Sequence, residues 1–184
     1  MLKFLTVLII LNFYYPAFSS VEERIISQMK LTNILSFNFI QTIDDKSENG
    51  FCIIKYPKKI FCEYNGTDKK VLVSNGKSLV IKIKRSGNYY IYPLNKTPLK
   101  LLLDKQYLIS KIKSIEPREV DNNLLNYEIF TKENEINIFF DKKSFNLIGW
   151  QTEDIYQNLN ITFISSIKIN EKIDDKIFIL PMND

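Results

Sequence analysis

Residues 50–66 read GFCIIKYPKKIFCEYNG, and this stretch decides the fold of the chain. Two runs of aromatic and β-branched residues flank a Tyr-Pro-Lys-Lys segment, a composition that predicts two strands joined by a turn. Pro57 restricts its own φ angle and favours extended geometry in the residue before it, so the turn is expected there. The stretch therefore predicts a β-hairpin centred on Pro57.

Side chains alternate between the two faces of a strand, so the predicted hairpin has one uncharged face and one charged face. The charged face carries Lys55, Lys59 and Glu63. An uncharged face of this size needs an apolar covering, which makes the nature of that covering the main functional question. The uncharged face consists of Cys52, Ile54, Tyr56, Ile60, Cys62 and Tyr64.

The hairpin also holds both cysteines of the chain, Cys52 and Cys62. They share one strand face and lie symmetrically about Pro57, so in an oxidising compartment they could form a cross-strand disulfide. The alternative is two small buried apolar side chains. Two cysteines without further ligands are too few for a metal site, and the chain has no histidine, which excludes histidine-based zinc sites and Ser-His-Asp triads. We expect no cofactor and no metal.

The N-terminus has the pattern of a signal peptide. Lys3 precedes an apolar run, and small residues follow at positions 17–19. A membrane anchor needs about 20 apolar residues, but this run is shorter and ends at Pro16. We expect residues 1–19 to be a cleaved signal peptide, residues 20–184 to be a single domain, and the protein to be exported to the periplasm.

The charged residues argue against nucleic-acid binding and against catalysis. The net charge is only +4, and lysines and acids are interspersed along the chain. Paired carboxylates occur at positions 22–23, 44–45 and 174–175, all in polar segments, and no glycine-rich phosphate loop is present. The chain is therefore expected to bind a ligand rather than to be an enzyme.

The remaining pattern predicts an α+β fold with a long antiparallel sheet. Ser20 can cap a helix over residues 20–35, and short turns connect most of the strands that follow it, as in an antiparallel meander or barrel. The predicted strands cover residues 37–42, 70–74, 78–84, 89–93, 109–116, 124–131, 135–140, 145–153 and 159–169.

Residues 97–104, TPLKLLLD, predict a short helix that starts with Thr97 and Pro98. Four of the five residues from Leu99 to Leu103 are leucine, more than one buried helix face requires. Two interpretations stay open: the helix belongs to the core, or it is a mobile lid over an apolar cavity.

With these elements in place, the sequence resembles the LolA family of periplasmic lipoprotein carriers. The resemblance extends over most of residues 20–181. The matching segments are 36–42 at the family's aromatic-x-Gln strand, 50–57 and 61–64 in the hairpin, 71–79 at the Ser-Asp-Gly hairpin, 97–103 at the Thr-Pro-Leu helix and 178–181 at the closing Phe-x-x-Pro.

The resemblance implies an incomplete, strongly curved antiparallel β-barrel whose open mouth is covered by helices. It also implies a monomer that takes lipoproteins from an inner-membrane ABC exporter, holds their acyl chains in an apolar concavity and passes them to an outer-membrane acceptor. On this chain the resemblance places the acyl-chain wall at Ile54, Tyr56, Ile60, Cys62 and Tyr64, and the lid at Pro98, Leu99, Leu102 and Leu103.

One departure and three alternatives accompany the resemblance. The family's arginine before the proline corresponds to Tyr56, which can donate one hydrogen bond but lacks the forked, charged donor group. The outer-membrane acceptor of the same fold, LolB, is itself a lipoprotein, and no cysteine follows the signal peptide here. Envelope sensor domains of this fold carry a second domain, for which 184 residues leave no room. A β-rich structural protein with a filled barrel is the third alternative.

Overall fold

The computed structural model describes residues 19–120, 122–131, 135–153 and 158–182. The predicted signal peptide lies outside the described residues, apart from Ser19. Within the described ranges, no helix has the length and apolar character needed to cross a membrane.

The described part of the chain forms three α-helices, two short 3₁₀-helices and eleven strands. The α-helices are α1 (Val21–Leu31), α2 (Leu99–Leu102) and α3 (Lys105–Ile112), and the 3₁₀-helices are Leu94–Lys96 and Asp175–Phe178. The strands are β1 (Ile34–Ile43), β2 (Lys46–Lys55), β3 (Lys59–Asn65), β4 (Lys70–Asn75), β5 (Ser78–Ile83), β6 (Tyr89–Pro93), β7 (Arg118–Val120), β8 (Leu124–Phe130), β9 (Glu135–Asp141), β10 (Leu147–Glu153) and β11 (Leu159–Ile169).

All eleven strands belong to one antiparallel sheet with the order β6-β5-β4-β3-β2-β1-β11-β10-β9-β8-β7. Strands β6 and β7 are its two edges, so the sheet is unclosed. The prediction of an unclosed antiparallel sheet with a few helices is confirmed. The two halves of the meander meet where β1 pairs with β11, which brings residues near both ends of the described chain together.

The central hairpin has the predicted register. Cys52 lies opposite Cys62, and Ile54 lies opposite Ile60. All four side chains are buried on the same face of the sheet, which we call the inner face; the opposite face is the outer face.

The predicted N-terminal helix is four residues too long. It begins as expected, with Ser20 and Glu23 forming a reciprocal capping box, but it ends at Leu31. The backbone N–H of Thr32 donates to the carbonyls of Gln28 and Met29 and closes the helix. The apolar residues that follow alternate between the sheet faces as part of β1, so they belong to a strand and not to a helical stripe.

The predicted strand over residues 109–116 is wrong, because residues 105–112 form α3. The side chain of Asp104 accepts a hydrogen bond from the backbone N–H of Tyr107 and caps this helix. Leu108, Ile109 and Ile112 are buried at helical spacing. Burial of this apolar stripe outweighs the β-propensity of the isoleucines.

The C-terminal 3₁₀-helix packs on β3 and β4. Its Phe178 is 3% exposed, and the Nζ of Lys59 lies 5.6 Å from the centre of the Phe178 ring. Lys55 and Lys59, on the outer face of the hairpin, both form ion pairs with Asp175. The charged outer face of the hairpin thus binds the C-terminal segment, and the inner face remains available for contact with the α-helices.

Candidate ligand-binding site

A cavity of about 200 Å³ lies between the inner face of the sheet and α2. Strands β1 to β5, strand β10 and the α2 segment contribute its apolar lining, so the cavity depends on the register of both halves of the sheet. The apolar lining residues are Phe39, Cys52, Ile60, Cys62, Leu72, Leu79, Pro98, Leu99, Leu102 and Trp150.

Aromatic contacts hold the wall of the cavity in place. The rings of Phe39 and Tyr64 pack edge-to-face with their centres 4.8 Å apart, and Trp150 packs against Phe37 in the same way at 6.0 Å. Gly50 makes the first contact possible, because a Cβ atom there would lie 2.1 Å from the Glu63 carbonyl oxygen and 2.8 Å from the Phe39 ring. The glycine that opens the central stretch is therefore required by close packing.

Cys52 and Cys62 form a disulfide, with their sulfur atoms 1.99 Å apart. The bond joins β2 to β3 at directly opposed positions, and both cysteines line the cavity. No free cysteine occurs in the described ranges.

The residues expected to form the acyl-chain wall fall into three groups. Ile60, Cys62 and Tyr64 line the cavity. Ile54 is fully buried and belongs to the packed core beside it. Tyr56 lines a second, smaller cavity of about 30 Å³ with residues of α1 and α3.

The residues expected to form the lid are divided between the larger cavity and the packed core. Pro98, Leu99 and Leu102 line the cavity, whereas Leu103 is fully buried and belongs to the packed core. Leu103 also ties the segment to the hairpin turn, since its carbonyl accepts a hydrogen bond of 3.0 Å from the backbone N–H of Lys58. The four leucines therefore serve two environments, which explains why they exceed one buried helix face.

Lys105 occupies the junction between α3, the C-terminal end of α1 and the hairpin. Its Nζ donates to the Thr32 carbonyl at 2.8 Å and to the Asn33 Oδ1 at 3.1 Å, and it lies 5.6 Å from the centre of the Tyr56 ring. Burial raises the pKa of Tyr56. The sequence gives no sign of the Lys105 contact, because it joins three segments that are distant along the chain.

One end of the cavity is polar. The Tyr64 hydroxyl donates to the Gln41 Oε1 at 3.1 Å. The Gln41 Nε2 donates to the Asn160 Oδ1 at 3.1 Å and to the Thr162 Oγ1 at 3.4 Å. Thr152 and Glu153 complete this end, which we call the polar end. Tyr64 is a predicted wall residue, and Gln41 lies in the predicted strand over residues 37–42. The pairing of β11 with β1 and with β10 brings the other residues to them.

A family model described as "Outer membrane lipoprotein carrier protein LolA" matches residues 30–180. The chain belongs to the LolA family. A search of curated proteins finds no match.

Solved structures are similar to this LolA-family chain. An uncharacterized conserved protein from Thermus thermophilus has a TM-score of 0.52 at 6% identity, covering 88% of this chain and 92% of that chain. A LolA superfamily protein from Nitrosomonas europaea has a TM-score of 0.46 at 9% identity, covering 86% and 95%. MucB, in the MucA/MucB complex from Pseudomonas aeruginosa, has a TM-score of 0.47 at 7% identity, covering 86% and 60%.

The described residues of this LolA-family protein hold no group of three or more potential metal ligands. Within the lining of the larger cavity, Glu153 is the one residue with a charged side chain. The chemistry that this lining offers is apolar contact over most of its area and hydrogen bonding at one end.

Proposed function

We propose that this LolA-family protein is a periplasmic carrier that binds the acyl chains of lipoproteins. In this proposal it receives lipoproteins from an inner-membrane ABC exporter and delivers them to an outer-membrane acceptor. The observation that carries the proposal is the largely apolar cavity between the inner face and α2. Acyl chains are long apolar ligands, and burial of each CH₂ group is worth about 0.8 kcal/mol.

The size of the cavity supports a lid that opens. Pockets that hold drug-sized ligands usually measure about 300–1,000 Å³, whereas this cavity measures about 200 Å³. Complete acyl chains therefore require α2 to move away from the sheet. A helix of four residues has little stability of its own and can be displaced at small cost.

The proposed roles follow from where each side chain lies. Ile60, Cys62 and Tyr64 form the wall that touches acyl chains, and Leu99 and Leu102 form the inner surface of the lid. Pro98 starts the lid. Leu103 anchors its end, since it is buried in the core and its carbonyl accepts a hydrogen bond from the Lys58 N–H.

Two residues are assigned roles outside direct acyl contact. Ile54 supports the wall from within the core, because it is fully buried. Tyr56 acts on the closed position of the helices through the Lys105 contact, because its ring lies under the Lys105 ammonium group. Neither role requires catalysis. The protein acts as a binding protein and is exported by its signal peptide.

The test is native mass spectrometry of the protein co-expressed with a tagged lipoprotein, under non-reducing conditions. The proposal predicts a one-to-one complex that disappears when the acylated cysteine of the lipoprotein is replaced. A complex that forms equally well without acylation would instead indicate recognition of the protein part, as in an envelope sensor. A folded protein that forms no complex would contradict the carrier proposal.

A further inference from the structure

The boundary between the apolar and polar parts of the cavity crosses three adjacent strands. On β1 the inner-face residue changes from Phe39 to Gln41, and on β10 it changes from Trp150 to Thr152. On β11, which lies between them, Thr162 is an inner-face residue next to both strands. Each change takes two residues, or roughly 7 Å along a strand. Gln41 and Trp150 both lie opposite Thr162, so the change on β10 comes two residues beyond the change on β1. This stepped boundary suits a ligand with an apolar part and a polar part.

The hydrogen bonds of the polar end have a defined direction. Burial and the neighbouring Glu48 carboxylate raise the pKa of Tyr64, so its hydroxyl keeps its proton and donates to Gln41. With its Oε1 accepting this bond, Gln41 donates both hydrogens of its Nε2, one to Asn160 and one to Thr162.

This direction determines what is left for a ligand. The Asn160 Oδ1 and the Thr162 Oγ1 are already acceptors, which leaves the Asn160 amide hydrogens and the Thr162 hydroxyl hydrogen as donors. In the part of the chain that the structure describes, no group accepts a hydrogen bond from either donor. The polar end therefore presents hydrogen-bond donors at the edge of an apolar cavity.

We propose that the polar end binds the ester carbonyl groups that join acyl chains to the glyceryl group on the N-terminal cysteine of a lipoprotein. This inference rests on the proposed function and adds a site for the linkage to the site for the chains. Carbonyl oxygens only accept hydrogen bonds, which matches the donors that Asn160 and Thr162 present. The Glu153 carboxylate at the same end repels anions and so favours a neutral linkage over the carboxylate of a free fatty acid.

The experiment compares two synthetic lipopeptides with the same alkyl chains. The first is an N-acyl-S-diacylglyceryl-cysteinyl peptide with ester carbonyls, and in the second these carbonyls are replaced by CH₂ groups to give ethers. Both are titrated against the full protein by displacement of a fluorescent apolar probe. The inference predicts that the ester compound binds roughly five- to tenfold more tightly, the usual range for hydrogen bonds to buried polar groups.

Variants at the polar end test the assignment to residues. Asn160→Asp keeps the acceptor for Gln41 but removes the amide donors, and Gln41→Leu removes the side chain that orients Asn160 and Thr162. Each should abolish the preference for the ester compound, so that the ester and ether compounds bind the variant with the same affinity. Gln151→Leu is the matched control, since Gln151 lies on the outer face of β10 next to Thr152 and should keep the preference.

The outcomes separate this inference from the proposed function. If the unmodified protein binds neither compound, the carrier proposal itself fails. If it binds both compounds with equal affinity, the carrier proposal stands and the polar end has no role in recognition. A preference for the ester compound that persists in Asn160→Asp and in Gln41→Leu would also overturn the inference, because it would show that these side chains do not recognise the carbonyl groups.

Discussion

The ammonium group of Lys105 lies 5.6 Å from the centre of the Tyr56 ring and donates hydrogen bonds to Thr32 and Asn33, just beyond the end of α1. A positive charge next to the last carbonyls of a helix is favourable, because these carbonyls carry the negative end of the helix dipole. By resemblance, the family has an arginine where this chain has Tyr56, so position 56 lacks a charged donor. In this chain a charged donor reaches the same region from α3.

Replacing Lys105 tests whether this contact holds the helices in place. Lys105→Met keeps the length of the side chain but removes its hydrogen bonds, so the free energy of unfolding should fall by about 1–2 kcal/mol. Hydrogen exchange in residues 99–112 should become faster. Lys113→Met, at an exposed position after α3, is the control. Equal exchange rates in the two variants would show that Lys105 does not hold α2 and α3.

Tyr56 should act through its ring and not through its hydroxyl. The ring lies under Lys105, and a cation over an aromatic face contributes about 0.5–2 kcal/mol. Tyr56→Phe should therefore leave lipopeptide release unchanged, whereas Tyr56→Leu should accelerate it. Stopped-flow release of a fluorescent lipopeptide measures both. A faster release from Tyr56→Phe would assign the role to the hydroxyl.

Ile60→Glu tests the wall of the cavity. Ile60 is 2% exposed and lines the cavity, so a carboxylate there meets the space that the acyl chains would fill. An unpaired charge is costly in an apolar site, and lipopeptide affinity at neutral pH should fall at least about tenfold. Ile40→Glu is the control, because Ile40 is 59% exposed on the outer face. If circular dichroism showed that Ile60→Glu is unfolded, Ile60 would belong to the core and not to the binding wall.

Removing the disulfide should lower stability without abolishing the fold. It closes a loop with a sequence separation of 10 residues, for which loop-closure entropy corresponds to about 2–3 kcal/mol. The double variant Cys52→Ala/Cys62→Ala should unfold at a correspondingly lower denaturant concentration, and so should the reduced protein. Adding reductant to the double variant is the control and should change nothing. Equal stability of the oxidised and reduced protein would contradict this account.

Phe178 should stabilise the fold from the outer face. It is 3% exposed, and truncating a buried phenylalanine typically costs about 3 kcal/mol. Phe178→Ala should lower the midpoint of chemical unfolding, whereas Ile179→Ala should not, because Ile179 is 68% exposed. Lipopeptide affinity should be the same in both variants. A selective loss of affinity in Phe178→Ala would link the C-terminal segment to the cavity.

Local patterns were sufficient to predict the hairpin, most of the strands and the helix after Thr97. Pro57 and the alternation around it determine that Cys52 lies opposite Cys62. The same reasoning failed at residues 109–116, where isoleucines suggested a strand. There the cap at Asp104 and burial of a helical stripe decide the structure.

Long-range contacts account for what the sequence did not reveal about the site. Gln41 meets Asn160 because β1 pairs with β11, and 119 positions separate these two residues. Lys105 meets Tyr56 only after α3 has packed beside the hairpin. The sequence near these residues predicts neither contact, because Gln41, Asn160 and Lys105 are each typical of an exposed strand or helix position.

The most direct test of the acyl-chain site uses Trp150, the single tryptophan of the chain, which lines the cavity and is 8% exposed. A lipopeptide with bromine atoms in the middle of its acyl chains quenches tryptophan fluorescence on contact. The carrier account predicts that Trp150 emission falls on titration and levels off at one equivalent, while the unbrominated lipopeptide leaves it unquenched. Tight binding of the brominated lipopeptide without quenching would place the acyl chains outside the cavity and contradict the account.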